Sequence, residues 1–165
     1  MLSAQKFSRR CTSGVSHAGG VSGALPGYRP RPMDVPSGFR PYPGQGPFLE
    51  HVGPIHVHED ADGLLLGIRA ETRHANHRGT VQGGLLATFA DFALGRAIEA
   101  DARDGKDRAT VSLTIDYLKP AEPGDWIEAR THVDRVGGTL SFADCTLTVG
   151  DRVIARSRAV WVVAG

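Results

Sequence analysis

Apolar residues change their spacing along this chain, and the changes predict its secondary structure. Between Leu85 and Ile98 they recur at helical spacing and cover most of the circumference, which predicts a long helix largely enclosed by protein. The helix should begin at Gly83 and Gly84 and end near Gly105. On both sides of it, apolar and polar positions alternate as they do in half-buried strands. The pattern therefore predicts one enclosed helix between two groups of strands.

The strand segments predict the architecture around that helix. Before it, IHVHED and LLLGIRAET are separated by turn residues 60–63 and predict a hairpin, preceded by one or two helical turns at residues 46–52. After it, ATVSLTIDYLKP is predicted to have one face made of Val111, Leu113, Ile115 and Tyr117 and the other of Thr110, Ser112, Thr114 and Asp116. DWIEARTHVDRV, TLSFADCTLTV and RVIARSRAVWVV are joined by tight turns and predict an antiparallel meander. We therefore expect an α+β fold, in which a curved antiparallel sheet of about five strands wraps around the helix.

The first 45 residues differ from the rest. They are rich in Gly, Ser, Pro and Arg and show no sustained period, so we expect a disordered or weakly ordered extension, followed by one domain over residues 46–165. The first twenty residues contain no acid and several basic and hydroxyl residues, as organellar transit peptides do. The alternative is an upstream extension ending before Met33. We expect a cytoplasmic protein, with an organelle as the alternative.

Composition excludes several classes of function. The 165 residues carry a net charge of +1, which gives no field strong enough to argue for a nucleic-acid or anionic-membrane partner. No apolar run approaches the ~20 residues that span a bilayer. Cys11 lies in a polar tail and Cys145 in a strand-like run, so neither a disulfide framework nor a cysteine zinc site is expected. Cys145 is predicted to pack in the core.

Histidines near the first hairpin raise the question of a metal site. His56 and His58 alternate with apolar residues and share one face of a predicted strand, with His51, His74 and His77 nearby. Zinc needs a third and usually a fourth ligand in register. We therefore favour solvent-facing strand histidines and predict no metal.

Residues 73–96, RHANHRGTVQGGLLATFADFALGR, combine a polar loop, two glycines and one acid in the enclosed helix. Gly83 and Gly84 lack a Cβ and occupy the first helical turn, whose N–H groups are unpaired and carry the positive end of the helix dipole. They can therefore donate to an oxygen that is gaining negative charge. Asp91 needs a partner or a function: one interpretation is a general base, and the other is an acid that bonds across a helix interface.

The spacing of these residues resembles the hotdog-fold acyl-CoA thioesterases, most closely the branch related to the phenylacetyl-CoA thioesterases of bacteria. The motif is N-x-x-G-x-x-Q-G-G-x-x-x-x-x-x-D, formed by Asn76, Gly79, Gly83, Gly84 and Asp91. Thr110 ahead of IDYLKPA, and the segments GGTLSFADCTL and RVIARSRAVW, extend the resemblance. It covers the chain from about Gly46 to the C-terminus.

The resemblance implies hydrolysis of acyl-CoA thioesters without a metal or organic cofactor, since CoA is part of the substrate. Asp91 would act as general base or nucleophile, and the Gly83 N–H would polarise the thioester carbonyl. Asn76 would hold the attacking water or the carbonyl, and Thr110 would orient the water. The resemblance also implies homodimers, often paired into tetramers, with Asn76, Gln82 and Gly83 of one chain facing Asp91 and Thr110 of the other.

Gln82 departs from the family pattern, in which histidine is the commonest residue before the two glycines. Its amide can donate a hydrogen bond but cannot exchange a proton, and a helix-capping role is the alternative. Gln82 is also the feature that favours a second function, a non-catalytic acyl-CoA-binding hotdog protein. A hotdog hydratase is disfavoured, because the helix lacks the histidine expected there. Gly84, Arg156 and Arg158 are the candidate substrate-binding residues, although both arginines are equally compatible with a solvated strand.

Overall fold

In the part of the chain that the structure describes, seven antiparallel strands form one curved, unclosed sheet around a single long helix. A computed structural model describes residues 34–60 and 63–164. The strands are β1 (Arg40–Pro41), β2 (Ile55–Asp60), β3 (Gly63–Arg69), β4 (Arg108–Tyr117), β5 (Trp126–Val136), β6 (Leu140–Val149) and β7 (Arg152–Val163), and the helices are α1 (Pro47–Val52) and α2 (Gly83–Ala102). Their order across the sheet is β1-β2-β3-β5-β6-β7-β4, which leaves β1 and β4 at the edges. The predicted fold is confirmed, with seven strands instead of about five.

The helix α2 is enclosed because the sheet curves around it. Its buried residues are Leu85, Leu86, Phe89, Ala90, Ala93, Leu94, Gly95, Ala97 and Ile98. Gly95 permits an especially close approach, because a Cβ at this position would lie 2.7 Å from the indole of Trp161 on β7. Each fully buried large side chain contributes roughly 1.5–3 kcal/mol relative to exposure, so this helix is a principal part of the hydrophobic core. It ends at Ala102, with Arg103 in the left-handed conformation, near the predicted end.

The meander of β5, β6 and β7 agrees with the alternation in the sequence. Ala143, Cys145 and Leu147 of β6 are at most 2% exposed and belong to the core cluster beneath α2. Burial raises the pKa of the Cys145 thiol to about 12, so the thiol stays protonated and packs as an apolar group. The prediction of core packing for Cys145 is confirmed.

The edge strand β4 corrects the predicted alternation. Thr110 pairs with Trp161 and Ser112 with Val160, so Val111 is an extra residue that forms a β-bulge. An extra residue moves the following positions to the opposite face, and Val111 itself is 60% exposed. As a result Thr110 and Leu113 both lie on the face of β4 that is turned toward the helix. The sequence pattern had placed them on opposite faces. That part of the prediction was wrong because alternation alone does not reveal a bulge.

The other edge of the sheet includes residues that precede the predicted domain. β1 pairs with β2, and Phe39 packs edge-on against Trp126 with 5.0 Å between ring centroids. The His56 ring lies 5.5 Å from the same indole and is 7% exposed, so the prediction that it faces solvent was wrong. The reason is that Phe39 and Trp126 cover this part of the outer face. Residues 1–33, most of the predicted extension, lie outside the described residues.

No helix in residues 34–60 or 63–164 is long and apolar enough to cross a membrane.

Stability should fall as the pH is lowered from about 6.5, because the pKa values of His56 and His74 are lowered mainly by burial from the ordinary value of 6.5. Below that pH the unfolded chain binds protons that the folded chain does not, so stability present above pH 6.5 is lost on acidification. We expect His74→Gln to weaken this pH dependence, as measured by thermal unfolding between pH 5 and 8. His77→Gln, at an exposed position, is the control and should leave it intact. An identical slope for His74→Gln and the unmodified protein would contradict the assignment.

Candidate functional site

Asp91 and Thr110, far apart in the sequence, meet in the folded chain. Asp91 is half-buried on α2, and the Thr110 hydroxyl donates a hydrogen bond of 2.9 Å to its Oδ1. The bulge at Val111 makes this contact possible by bringing Thr110 to the helix side of β4. A carboxylate accepts several hydrogen bonds, so this contact orients Asp91 and leaves acceptor positions free for a ligand or water.

The start of α2 presents two backbone donors. Gln82 has extended backbone angles at the N-cap, and Gly83 and Gly84 are the first helical residues, whose N–H groups have no carbonyl partner within the helix. Within the described part of the chain neither N–H donates to a protein acceptor. The exposed Gln82 side chain makes no capping hydrogen bond, so Gln82 occupies the predicted cap position without the chemistry of a cap.

A small hairpin-like loop fixes the position of those donors. The backbone of Ala75 bridges that of Val81, and the Val81 and Gln82 N–H groups donate to the carbonyls of Ala121 and His74, each at 2.8 Å. Gly83 and Gly84, the first two residues of the helix, follow directly after Gln82. The location of the Gly83 N–H is thus determined by backbone hydrogen bonds on two sides of the loop.

Asn76 stabilises the tip of this loop through both ends of its amide. Its Oδ1 accepts the Arg78 N–H at 2.8 Å, and its Nδ2 donates to the Thr80 hydroxyl at 2.9 Å. One amide hydrogen and further acceptor capacity remain. Asn76 is half-buried, and no hydrogen bond joins it to Asp91 among the described residues.

His74 anchors the loop, a role that the sequence analysis did not identify. Its Nδ1 accepts the Glu71 N–H at 2.9 Å and its Nε2 donates to the Val52 carbonyl at 2.8 Å, so the ring is neutral and joins the loop to α1. Burial and the neighbouring Arg73 lower the pKa of His74, in agreement with this neutral form. Within the described ranges, no group of three or more His, Cys, Asp or Glu side chains is placed to hold a metal ion.

A cleft of about 290 Å³ opens beside the helix start. Its lining residues are Val81, Gly83, Leu86, Tyr117, Leu118, Lys119, Pro120 and Ala121. The Tyr117 hydroxyl donates to the Gly83 carbonyl at 2.9 Å, a contact that strand alternation could not predict. The cleft therefore places an apolar wall and one cation beside the two backbone donors.

Two groups of predicted site residues remain apart. Gly83 and Asp91 are eight residues apart on the same helix, a separation of about 12 Å along its axis. Arg156 and Arg158 alternate along β7 with buried residues that face α2, so both lie on the outer face of the sheet. The Arg158 guanidinium donates to Asp144 at 2.8 and 3.0 Å and reaches Asp134 at 3.4 Å. A single chain thus unites Asp91 with Thr110 and, separately, the loop with the helix start.

Comparison with known sequences gives a consistent family. The model of the Thioesterase superfamily matches residues 78–156, a range that contains the helix start, Asp91 and Thr110. A Pseudomonas aeruginosa protein that is proposed to be an esterase is 38% identical over 130 residues, which are 78% of this chain and 97% of that protein. Human acyl-coenzyme A thioesterase 13 is 33% identical over 114 residues, 67% of this chain and 81% of the relative.

Comparison with solved structures gives the same fold. Zebra fish thioesterase superfamily member 2 superposes with a TM-score of 0.65 at 29% identity, covering 73% of this chain and 89% of that one. A Bacillus halodurans protein crystallised with CoA superposes with a TM-score of 0.67, covering 74% of this chain and 82% of that one. Its identity of 21% limits that likeness to the fold. The PaaI protein of E. coli, at 20% identity and a TM-score of 0.63, covers 73% and 86% and likewise shares the fold.

Proposed function

The chain belongs to the thioesterase superfamily, and we propose that it hydrolyses acyl-CoA thioesters to the free acid and CoA, with Asp91 as general base or nucleophile. The observation that carries the proposal is the 2.9 Å hydrogen bond from Thr110 to Asp91, which orients a half-buried acid on the enclosed helix. Relatives named acyl-coenzyme A thioesterase 13 in mouse and human support acyl-CoA as the substrate class.

The proposed reaction needs few groups. Asp91 removes a proton from water or attacks the thioester carbon itself, and the Thr110 hydroxyl holds the carboxylate or the water in line. The Gly83 N–H donates to the carbonyl oxygen as negative charge develops on it. The leaving thiol has a pKa near 8.5 and can depart as thiolate without a strong acid beside it. No step requires a metal or an organic cofactor.

We propose that each site is shared between two chains. The ~12 Å between Gly83 and Asp91 along α2 is too large for both to contact one thioester group from the same chain. β4 is an edge strand, and its side chains Val111 and Tyr117, with Leu118 directly after it, are 53–60% exposed, which supports pairing with a second copy. Asn76, Gln82 and Gly83 of one chain would then face Asp91 and Thr110 of the other. Three further points stay predictions: the pairing of two dimers into a tetramer, the cytoplasmic location, and CoA contacts by Gly84, Arg156 and Arg158.

The second candidate is a non-catalytic acyl-CoA-binding protein. The exposed Gln82 favours it, because an amide cannot exchange a proton at a position where the family commonly has histidine. The oriented Asp91–Thr110 pair favours catalysis, since a pure binding protein does not need an acid held in this way. We therefore place hydrolysis first.

Asp91→Asn should reduce hydrolysis by about a hundredfold or more, because an amide cannot act as a base or a carboxylate nucleophile. Thiol release would be measured over a panel of aryl, short-chain and medium-chain acyl-CoAs, and calorimetry with a non-hydrolysable thioether analogue should show retained affinity. The control is Asp101→Asn, an exposed acid on the same helix that should leave turnover unchanged.

The panel also separates the two candidate functions. Absence of turnover by the unmodified protein on every acyl-CoA and at every pH, with analogue binding intact, would identify the binding protein. Full activity of Asp91→Asn would instead keep the enzyme and reject Asp91 as its base or nucleophile.

Mixing Asp91→Asn with Asn76→Ala should restore activity if sites are shared. Each variant alone would lack one half of every site, whereas a mixed dimer has one site with both halves intact. Random exchange after mild denaturation should return about a quarter of the unmodified activity. Recovery no greater than the sum of the two variants would show that each site is built from one chain.

Gln82→His should keep or raise the rate if this position only donates a hydrogen bond. A tenfold loss, about 1.4 kcal/mol in the activation barrier, would show that the amide has a specific role that imidazole cannot fill. The measurement is kcat and KM for the best acyl-CoA of the panel, with Thr72→Ala in the neighbouring loop as the control.

A further inference from the structure

The Tyr117 hydroxyl donates a hydrogen bond to a backbone carbonyl at the start of α2. It donates to the Gly83 oxygen at 2.9 Å, while the side chain is 54% exposed. In the α-helical pattern that oxygen also accepts the N–H four residues later. The Gly83 carbonyl therefore receives two donors, one of which comes from the edge of the sheet.

This carbonyl belongs to the same peptide group as the Gly84 N–H. A donor on the oxygen of an amide draws electron density from its nitrogen, so the N–H becomes a stronger donor. The Gly84 N–H has no protein acceptor within the described residues. Space beside the Gly84 Cα is open, because a Cβ built there would meet, apart from the helix backbone and the adjacent residues, only the Gln82 Cγ at 4.0 Å.

The Tyr117 ring also determines which side of the helix start stays open. A Cβ built at Gly83 would lie 3.2–3.3 Å from Cζ, Cε1 and the hydroxyl oxygen of Tyr117, so the ring covers the side where a side chain would project. A ligand must therefore approach the two N–H groups from elsewhere. The ring and the hydroxyl together hold the Gly83–Gly84 peptide in one orientation.

Tyr117 and Thr110 lie on the same strand, β4, and each donates a hydrogen bond to a different part of the proposed site. Thr110 orients the acid at position 91, and Tyr117 orients the peptide at positions 83 and 84. One edge strand is thus the common support for the acid and for the backbone donors of its chain.

We propose that Tyr117 is a positioning residue for thioester hydrolysis. Its hydroxyl orients and polarises the Gly83–Gly84 peptide, so that the Gly84 N–H acts beside the Gly83 N–H as a second donor to the developing oxyanion. The proposal rests on the thioesterase function described above and goes beyond it, because it adds a donor and the residue that controls it.

Tyr117→Phe keeps the ring and removes only the hydroxyl. We expect kcat to fall roughly three- to tenfold with KM nearly unchanged, because the lost polarisation matters most when the oxyanion forms. Tyr42→Phe is the matched control: the ring of Tyr42 packs on Phe92 and no hydrogen bond of its hydroxyl occurs within the described residues. Unchanged kcat in Tyr117→Phe, in an enzyme that is otherwise active, would overturn the proposal.

Replacing the thioester carbonyl oxygen by sulfur tests how Tyr117 acts. A thiocarbonyl accepts hydrogen bonds weakly, so the loss caused by Tyr117→Phe should shrink with a dithioester of CoA. A general disturbance of the fold would reduce the turnover of both substrates equally. Equal losses would therefore show that Tyr117 does not act through a hydrogen bond to the thioester carbonyl oxygen.

The amide proton of Gly84 gives a readout that needs no turnover. Removing the hydroxyl should move its NMR resonance upfield, while resonances in the meander stay in place. An unmoved Gly84 resonance would overturn the proposal even if the protein were inactive on every acyl-CoA, so failure here is distinguishable from failure of the thioesterase function.

Discussion

The hydrogen bond between Thr110 and Asp91 connects the long helix to the free edge of the sheet, and the organisation of the site depends on it. The apolar side of the helix must be buried, so the sheet curves around it and leaves a strip of α2 along the opposite side only partly covered. Asp91 lies at the border of that strip. Its polar partner has to come from the strand that closes the border, and the extra residue at Val111 brings Thr110 to the required side.

The same geometry supports the proposal that each site is shared between two chains. An α-helix separates its N-terminal donors from an acid eight residues later by about 12 Å, and no side-chain rotation removes that distance. The unpaired edge of β4 is adjacent to both groups through Tyr117 and Thr110. A second chain that joins this edge would bring complementary halves together, so the proposed assembly and the proposed chemistry have the same structural origin.

Much of the fold could be predicted from the sequence, because long amphipathic segments and glycine turns have strong local signals. The extent of α2, the hairpin of β2 and β3, and the meander with its buried Cys145 all follow from periodicity. Periodicity failed where a non-local feature decided the outcome. The bulge depends on how β4 meets β7, and the burial of His56 depends on Phe39 and Trp126 covering it. The hydrogen bond of Tyr117 is a contact of the same kind, which spacing along one strand cannot reveal.

The backbone donors at the start of α2 are located without the help of the residue 82 side chain. The proposed carbonyl donors are N–H groups at the start of α2, and they are located by main-chain bonds from Val81 and Gln82 to Ala121 and His74. His74 is in turn fixed by its own two hydrogen bonds. None of these bonds involves the Gln82 side chain, which is exposed and makes no capping contact. If the proposed polarisation of the thioester carbonyl comes from these backbone donors, their geometry is kept with glutamine at position 82.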